Sequence, residues 1–117
     1  MNKRLSMLGL ARRAGKLKCG FDAAVEAIRS GEAKGATAAS DISAKTFSNL
    51  KFEAERRGIQ AVRIEETTEA VSRAIGKKAG VVAVCDEGFF KVICDSQANR
   101  ISAERVRMDS AEGDANE

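Results

Sequence analysis

Through the first 97 residues, stretches with apolar residues every three or four positions alternate with short apolar or alternating runs. The first pattern predicts helices, and the second predicts strands. Five helices are predicted, covering about residues 3–14, 21–30, 41–57, 67–75 and 87–97. Four strands are predicted between them, over residues 16–19, 35–39, 59–64 and 81–85. This order predicts an α/β protein, a three-layer α/β/α sandwich with a central mixed sheet of about four strands.

The predicted strands differ in how clearly their residues indicate burial. Val81–Cys85 is apolar and β-branched, which indicates a central strand. Gly35–Ala39 has small residues where a buried strand usually has Val or Ile, so its strand propensity is low. Either Ser40 or Asp41 can cap the helix that follows. Phe52 falls outside the apolar stripe of that helix and has no predicted role.

The hydrophobic pattern ends near residue 97, and this predicts two regions of different character. Residues 1–97 are predicted to form one domain, and 117 residues with 44% hydrophobic content can build one core. Residues 98–117 are polar, small and acidic, which predicts a disordered tail. No apolar run is long enough to cross a membrane and no cleavable signal pattern is present, so we expect a cytoplasmic protein without a membrane partner.

The net charge of +3 conceals a more basic body. Residues 1–100 hold 18 Lys or Arg against 12 Asp or Glu, whereas the last 17 residues hold two against five. The first 20 residues contain six basic side chains and no acidic one. Such a basic face is typical of a protein that binds a phosphate backbone, and a solvated helix face is the alternative.

The stretch around Gly20 is the first candidate site. A glycine there permits a sharp turn into the next helix, whose N-terminus offers unpaired N–H groups to an anion. Lys16 and Lys18 stand just before it, and a second basic loop, Gly76–Gly80, precedes the best strand. Because ligands of α/β folds meet loops at strand ends, we expect both segments in one site. The alternative is a plain strand, turn and helix with solvated lysines.

The sequence lacks the residues that several kinds of catalysis and ligand binding require. There is no His, no Gly-x-Gly-x-x-Gly motif and no Gly-Lys-Ser/Thr ending in the 76–80 loop. The three Cys lack metal-site spacing and are expected to be reduced, largely buried thiols. The adjacent carboxylates Glu65-Glu66 and Asp86-Glu87 are interpreted as helix-start residues. We therefore expect no catalytic residues, no metal, no cofactor and no small-molecule substrate.

The sequence resembles the bacterial members of the ribosomal L7Ae/L30e superfamily, the kink-turn RNA-binding proteins. The resemblance is carried by LGLARRAGKL from Leu8, by Gly20 at a helix entrance, by RAIGKK from Arg73 and by VVAVCDEGF from Val81. It extends from about residue 5 to residue 93 and implies the α/β/α fold predicted above. It also implies that the helix after Gly20 enters a widened RNA groove while the 76–81 loop packs on an extruded nucleotide.

The resemblance identifies a set of candidate RNA-binding residues on these two segments: Lys16, Lys18, Gly20, Phe21, Asp22, Ala23, Glu26, Gly76, Lys77, Lys78, Ala79 and Gly80. The sequence departs from the family pattern at three of them. The family has an amide and a carboxylate at the positions of Asp22 and Ala23, and a Lys at the position of Glu26. The lysines that position phosphates are thus better preserved than the groups that read bases.

We therefore expect a non-enzymatic RNA-binding protein whose partner is structured RNA, such as ribosomal or kink-turn RNA. The alternative is a protein-interaction module that keeps this fold with altered or lost kink-turn recognition.

Overall fold

The computed structural model describes residues 2–94, and the predicted acidic tail, residues 98–117, lies outside the described residues. Eight elements follow in chain order: α1 Lys3–Arg13, β1 Leu17–Cys19, α2 Phe21–Ser30, β2 Gly35–Ala38, α3 Ala44–Arg56, β3 Gln60–Arg63, α4 Thr68–Ile75 and β4 Val81–Val84. A fifth helix, α5, begins at residue 87 and is described through residue 94. The boundary predicted at residue 97 also lies outside the described part of the chain.

The four strands form one mixed sheet in the order β1-β4-β2-β3. Strand β4 runs antiparallel to both of its neighbours, whereas β2 and β3 are parallel. All four residues of β4 are buried, which confirms the central position predicted from its β-branched sequence. Val82 and Val84 face the core of α1, α4 and α5, while Val81 and Ala83 face the core of α2 and α3. The three-layer α/β/α sandwich is confirmed.

Strand β2 shows why small residues stand in a buried strand. Ala36 and Ala38 have no exposed surface and pack in the core beneath α2 and α3. A β-carbon on Gly35 would lie 2.3 Å from the Phe90 ring, so the aromatic side chain of α5 occupies the space that a larger residue would need. Close packing of helices on both faces therefore outweighs the low strand propensity.

Two sequence-based assignments at helix starts are wrong. Helix α3 begins at Ala44 and its cap is Ser43, whose hydroxyl accepts from the Thr46 N–H at 3.1 Å. Ser40 and Asp41 lie in the preceding turn. The cap of α4 is Thr67, and Glu66 is instead buried in an ion pair. Asp86 is placed as predicted, since its carboxylate accepts from the Phe89 N–H at 2.9 Å at the start of α5.

The three cysteines form no disulfide with one another, and they are partly buried rather than largely buried as expected. Burial raises the pKa of the Cys85 thiol, which is the opposite of what a nucleophilic cysteine requires. In the described part of the chain, the helices are too short or too polar to cross a membrane.

Candidate nucleic-acid interface

The structure brings the two predicted segments together at one end of the sheet. Strands β1 and β4 pair antiparallel, with Cys19 opposite Val82, so the end of β1 meets the start of β4. The Gly20 N–H continues this pairing by donating to the Val81 carbonyl at 2.8 Å. The start of α2 therefore lies beside the end of the Gly76–Gly80 loop, as sequence reasoning predicted.

Helix α2 begins without a side-chain cap. Gly20 has φ of 101° and ψ of 154°, a backbone region that is essentially restricted to glycine, and it offers no side-chain acceptor. The other four helices of residues 2–94 are capped by side-chain oxygens of Asn2, Ser43, Thr67 and Asp86. The first N–H groups of α2 are thus left for solvent or for a bound anion, and the helix dipole favours negative charge there.

The outer face of α2 carries acidic groups close to Lys18 of β1. Asp22 and Glu26 are exposed and Ala23 is partly buried, while Phe21 packs partly against the core of α2 and α3. An open cleft of about 500 Å³ lies along this face, lined by Lys18, Ala23, Glu26, Ala27, Ser30 and Glu32. One lysine and two carboxylates therefore face the same cleft, which makes this part of the surface mixed in charge.

The Gly76–Gly80 loop is held to α4 by a serine. The Ser72 hydroxyl accepts from the Ala79 N–H at 3.0 Å and donates to the Ala79 carbonyl at 3.2 Å. Ala79 is buried in the core and both its backbone N–H and carbonyl bond Ser72, so this residue holds the loop in place. Lys77 and Lys78 are exposed, and the fixed loop presents both charges at the same end of the sheet as the start of α2.

Residues outside the predicted set complete this end of the molecule. The Ala39 N–H donates to the Gly80 carbonyl at 2.8 Å, which joins the turn after β2 to the basic loop. In that turn, the Asp41 carboxylate accepts from the Thr68 N–H at 2.9 Å and from the Thr68 hydroxyl at 2.7 Å. The bond from the Thr68 hydroxyl is the main reason that the pKa of Asp41 lies below its ordinary value. Sequence reasoning assigned Asp41 to a helix cap and missed this contact, because its partner lies 27 residues away.

Arg63 fixes the same turn from the edge strand β3. Its guanidinium donates to the carbonyls of Ala39, Ser40 and Ile42 at 3.3, 3.0 and 2.8 Å, and lies 4.7 Å from the centroid of the Phe47 ring. Three carbonyls gathered by one charged donor define the path of a short turn. The alternation of residues 59–64 predicted the strand but gave no signal for this role.

A buried ion pair supports the interface from α1. Arg4 and Glu66 have side chains only 2% and 7% exposed, and their charged groups lie 2.6 Å apart. Asn2 also donates to Glu66 at 2.6 Å, and the Glu66 carbonyl accepts from the Ser40 N–H. The N-terminus of α1 is therefore tied to the segment before α4 and, through it, to the turn after β2.

Lys16 lies at the end of β1 that is opposite the start of α2. Its carbonyl accepts from the Cys85 N–H, at the opposite end of β1 from Gly20. Four residues of extended chain correspond to about 13 Å. Lys18 lies between them, exposed on the α2 side of the sheet. The participation of Lys16 and of the other predicted residues in an RNA interface stays a prediction.

Comparison with known proteins assigns the class of protein that this fold defines. The sequence model of the ribosomal protein L7Ae/L30e/S12e/Gadd45 family matches residues 3–94. The chain belongs to this family.

Two relatives carry the name RNA-binding protein YlxQ. The protein from Enterococcus faecium is 32% identical over 89 residues, which cover 76% of this chain and 85% of the relative. The protein from Bacillus subtilis (strain 168) is 34% identical over 84 residues, covering 71% of this chain and 83% of the relative.

Solved structures share the fold. A protein of unknown function from Bacillus halodurans C superposes with a TM-score of 0.76 at 30% identity, over 81% of this chain and 96% of that one. The Giardia lamblia 15.5kD RNA binding protein gives a TM-score of 0.67 at 18% identity, over 81% of this chain and 82% of its own. At that identity, the second likeness concerns the fold alone.

Proposed function

We propose that this chain is a non-enzymatic RNA-binding protein that recognises structured RNA, ribosomal or kink-turn-like, at the end of the sheet where α2 begins. The observation that carries the proposal is the hydrogen bond between Gly20 and Val81, which sets an uncapped helix N-terminus beside the Gly76–Gly80 loop. Membership of the L7Ae/L30e/S12e/Gadd45 family and the two relatives named as RNA-binding proteins support it.

The roles of the interface residues follow from their chemistry. Lys18, Lys77 and Lys78 are exposed positive charges on the two segments that meet where α2 begins. Both these charges and the N–H groups at the start of α2 bind phosphate oxygens, so together they position an RNA backbone. Phe21, Ala79 and Gly80 shape the surface between these charges, chiefly through the backbone and packing. Sequence-independent contacts of this kind favour RNA of a matching shape over a matching base sequence.

The exposed face of α2 sets the selectivity. Asp22 and Glu26 are exposed and acidic, so they accept hydrogen bonds but repel phosphate. We propose that kink-turn recognition is weakened at these positions, together with Ala23, while the phosphate contacts are kept. The result is a binder of folded RNA with reduced base reading.

A titration with two RNAs tests the proposal. The full chain is titrated with a kink-turn RNA and with a plain duplex of equal length, at one fixed salt concentration. We expect tighter binding of the folded RNA. Equal affinity for both would reduce the activity to nonspecific phosphate binding, and no binding to either would overturn the proposal.

The second candidate function is a protein-interaction module, and the cleft along α2 is the observation that favours it. Glu26 and Glu32 face Lys18 across about 500 Å³, a mixed-charge groove that suits a polar protein segment better than a phosphate. This candidate would be favoured if a partner protein still co-purified after ribonuclease treatment and no longer co-purified with the Glu26→Lys variant. Loss of the partner on ribonuclease treatment would favour RNA binding.

A further inference from the structure

A basic cleft lies at the end of the α2 and α3 layer that is opposite the proposed interface. It encloses about 410 Å³ and is lined by Arg29, Glu53, Arg56 and Arg57. Helix α2 starts at the proposed interface and ends near this cleft, since Arg29 is seven residues after Asp22, or about 10 Å along the helix. Glu26 and Glu32 line the α2 cleft and do not line this one.

The charges of this cleft are unbalanced. Arg29 forms a two-bond ion pair with Glu53, with distances of 3.1 and 2.8 Å. The hydrogen bond from Arg29 holds the pKa of the Glu53 carboxyl below its ordinary value, so the pair stays ionised at neutral pH. Of the four lining side chains, Arg56 and Arg57 therefore contribute the net charge of the cleft, and both are exposed.

An exposed aromatic ring adjoins the cleft. Phe52 is 59% exposed, and the guanidinium carbon of Arg56 lies 5.6 Å from the centroid of its ring. Phe52 is the residue of α3 that the helical pattern left without a role. An aromatic ring with an arginine beside it, next to free positive charge, is the combination on which unpaired nucleotides stack while their phosphates are held.

We propose that the C-terminal end of α3 is a second RNA contact, in which Arg56 and Arg57 bind backbone phosphate and Phe52 stacks on an unpaired base. This inference rests on the proposed RNA binding at the start of α2. It extends the bound RNA to a single-stranded segment beyond the folded element.

The surroundings of Phe52 favour RNA over a protein partner. Within residues 2–94, the large hydrophobic side chains that are exposed are Phe52 and Leu10, and Leu10 belongs to α1 in the opposite layer. A protein-docking site generally requires a contiguous apolar patch, whereas stacking on a base needs one ring face. The net positive charge around the ring complements phosphate.

The test compares two RNAs that differ by one feature. The first is a kink-turn RNA, and the second is the same RNA with a single-stranded extension that contains the fluorescent base 2-aminopurine. We expect the extended RNA to bind wild-type protein more tightly and its fluorescence to be quenched by stacking. Arg56→Gln with Arg57→Gln, and separately Phe52→Ala, should each reduce affinity for the extended RNA by about fivefold or more. Their affinity for the first RNA should stay unchanged.

A matched control variant loses the same number of positive charges outside the proposed second contact. Lys34→Gln with Lys91→Gln removes two exposed charges that belong neither to the proposed interface nor to this cleft, and should keep wild-type binding of both RNAs. Circular dichroism verifies folding of each variant, and Phe52→Ala removes an exposed ring that the core does not need. Equal weakening of both RNAs, or equal weakening by the control pair, would overturn the second contact.

The remaining outcomes separate the two proposals. If wild-type protein binds the first RNA and gains nothing from the extension, the second contact is wrong and the proposed function stands. If it binds neither RNA, the proposed function fails. If Phe52→Ala instead abolishes capture of a ribonuclease-resistant protein partner and leaves the extended RNA unaffected, this surface docks protein and the RNA contact is wrong.

Discussion

A β-carbon on Gly80 would lie 2.4 Å from the hydroxyl oxygen of Thr68. The same position is 2.8 Å from the end of the Ile42 side chain. Gly80 is therefore the point at which the basic loop, the turn after β2 and the start of α4 meet. The close approach explains how three segments that are distant in sequence form one surface.

Replacing Gly80 with Ala should destabilise the protein by about 1–3 kcal/mol, the range for overpacking a filled site. Urea unfolding of the wild type and of Gly80→Ala measures this difference. The cost should be smaller when Thr68→Ala is already present, because the closest clashing atom is then absent. Purely additive effects of the two changes would show that the Thr68 hydroxyl is not what limits this site.

Removing one charge of the Arg4–Glu66 ion pair should destabilise the protein more than replacing both residues with apolar ones. Glu66→Gln leaves a buried guanidinium without its counter-charge, and we expect a loss of about 3–5 kcal/mol. Two nitrogens of Arg4, Nε and Nη2, have no hydrogen-bond partner among the described residues, so the pair is incompletely satisfied. Arg4→Met with Glu66→Leu should therefore be more stable than Glu66→Gln. Thermal and urea unfolding of the three proteins would contradict this if the double variant were the least stable.

The contact between Asp41 and Thr68 should give stability that depends on pH. Because folding lowers the pKa of Asp41 from its ordinary value of 3.8, the contribution is fully present above that value. It is lost as pH falls below it and through the lowered folded pKa. The stability difference between wild type and Asp41→Asn should be constant near neutral pH and change only in the acid range below about pH 4. A difference that titrates near neutrality would mean that another group is responsible.

The loop lysines should act as phosphate contacts. Lys77→Ala with Lys78→Ala should weaken binding of folded RNA and duplex by similar factors, since phosphate contacts carry no sequence information. The dependence of log K on log salt should become shallower by about two units of slope. Titrations at several salt concentrations measure both effects. A loss confined to one RNA would contradict this role and indicate base recognition by the loop.

Restoring the family pattern on the exposed face of α2 should increase the preference for kink-turn RNA over duplex. In Asp22→Asn with Ala23→Glu and Glu26→Lys, an amide donor, a carboxylate acceptor and a positive charge return to the exposed side. We expect affinity for kink-turn RNA over duplex to rise by about 1–3 kcal/mol, the scale of one good bidentate base contact. The matched control is Glu87→Lys, an equal charge reversal at an exposed position at the start of α5. If the triple variant folds and its preference is unchanged, this helix is not the RNA-reading surface.

The sequence by itself determined the order of elements and the central strand. Val81–Val84 has the β-branched residues that a strand buried on both faces requires, and the glycines after α1 and α2 end those helices at the predicted places. Gly20 and the Gly76–Gly80 loop were found from sequence because turn chemistry is local. These features depend on neighbouring residues, which is why periodicity and residue type were sufficient.

Tertiary structure alone decided how distant groups meet. The partner of Asp41 lies 27 residues away, that of Arg4 lies 62 residues away, and the carbonyls held by Arg63 precede it by more than 20 residues. No spacing rule links such positions, because strand pairing and helix packing set those distances. The same packing buried Gly35–Ala38 against its low strand propensity and turned Glu66 from a presumed helix-start residue into a buried partner of Arg4.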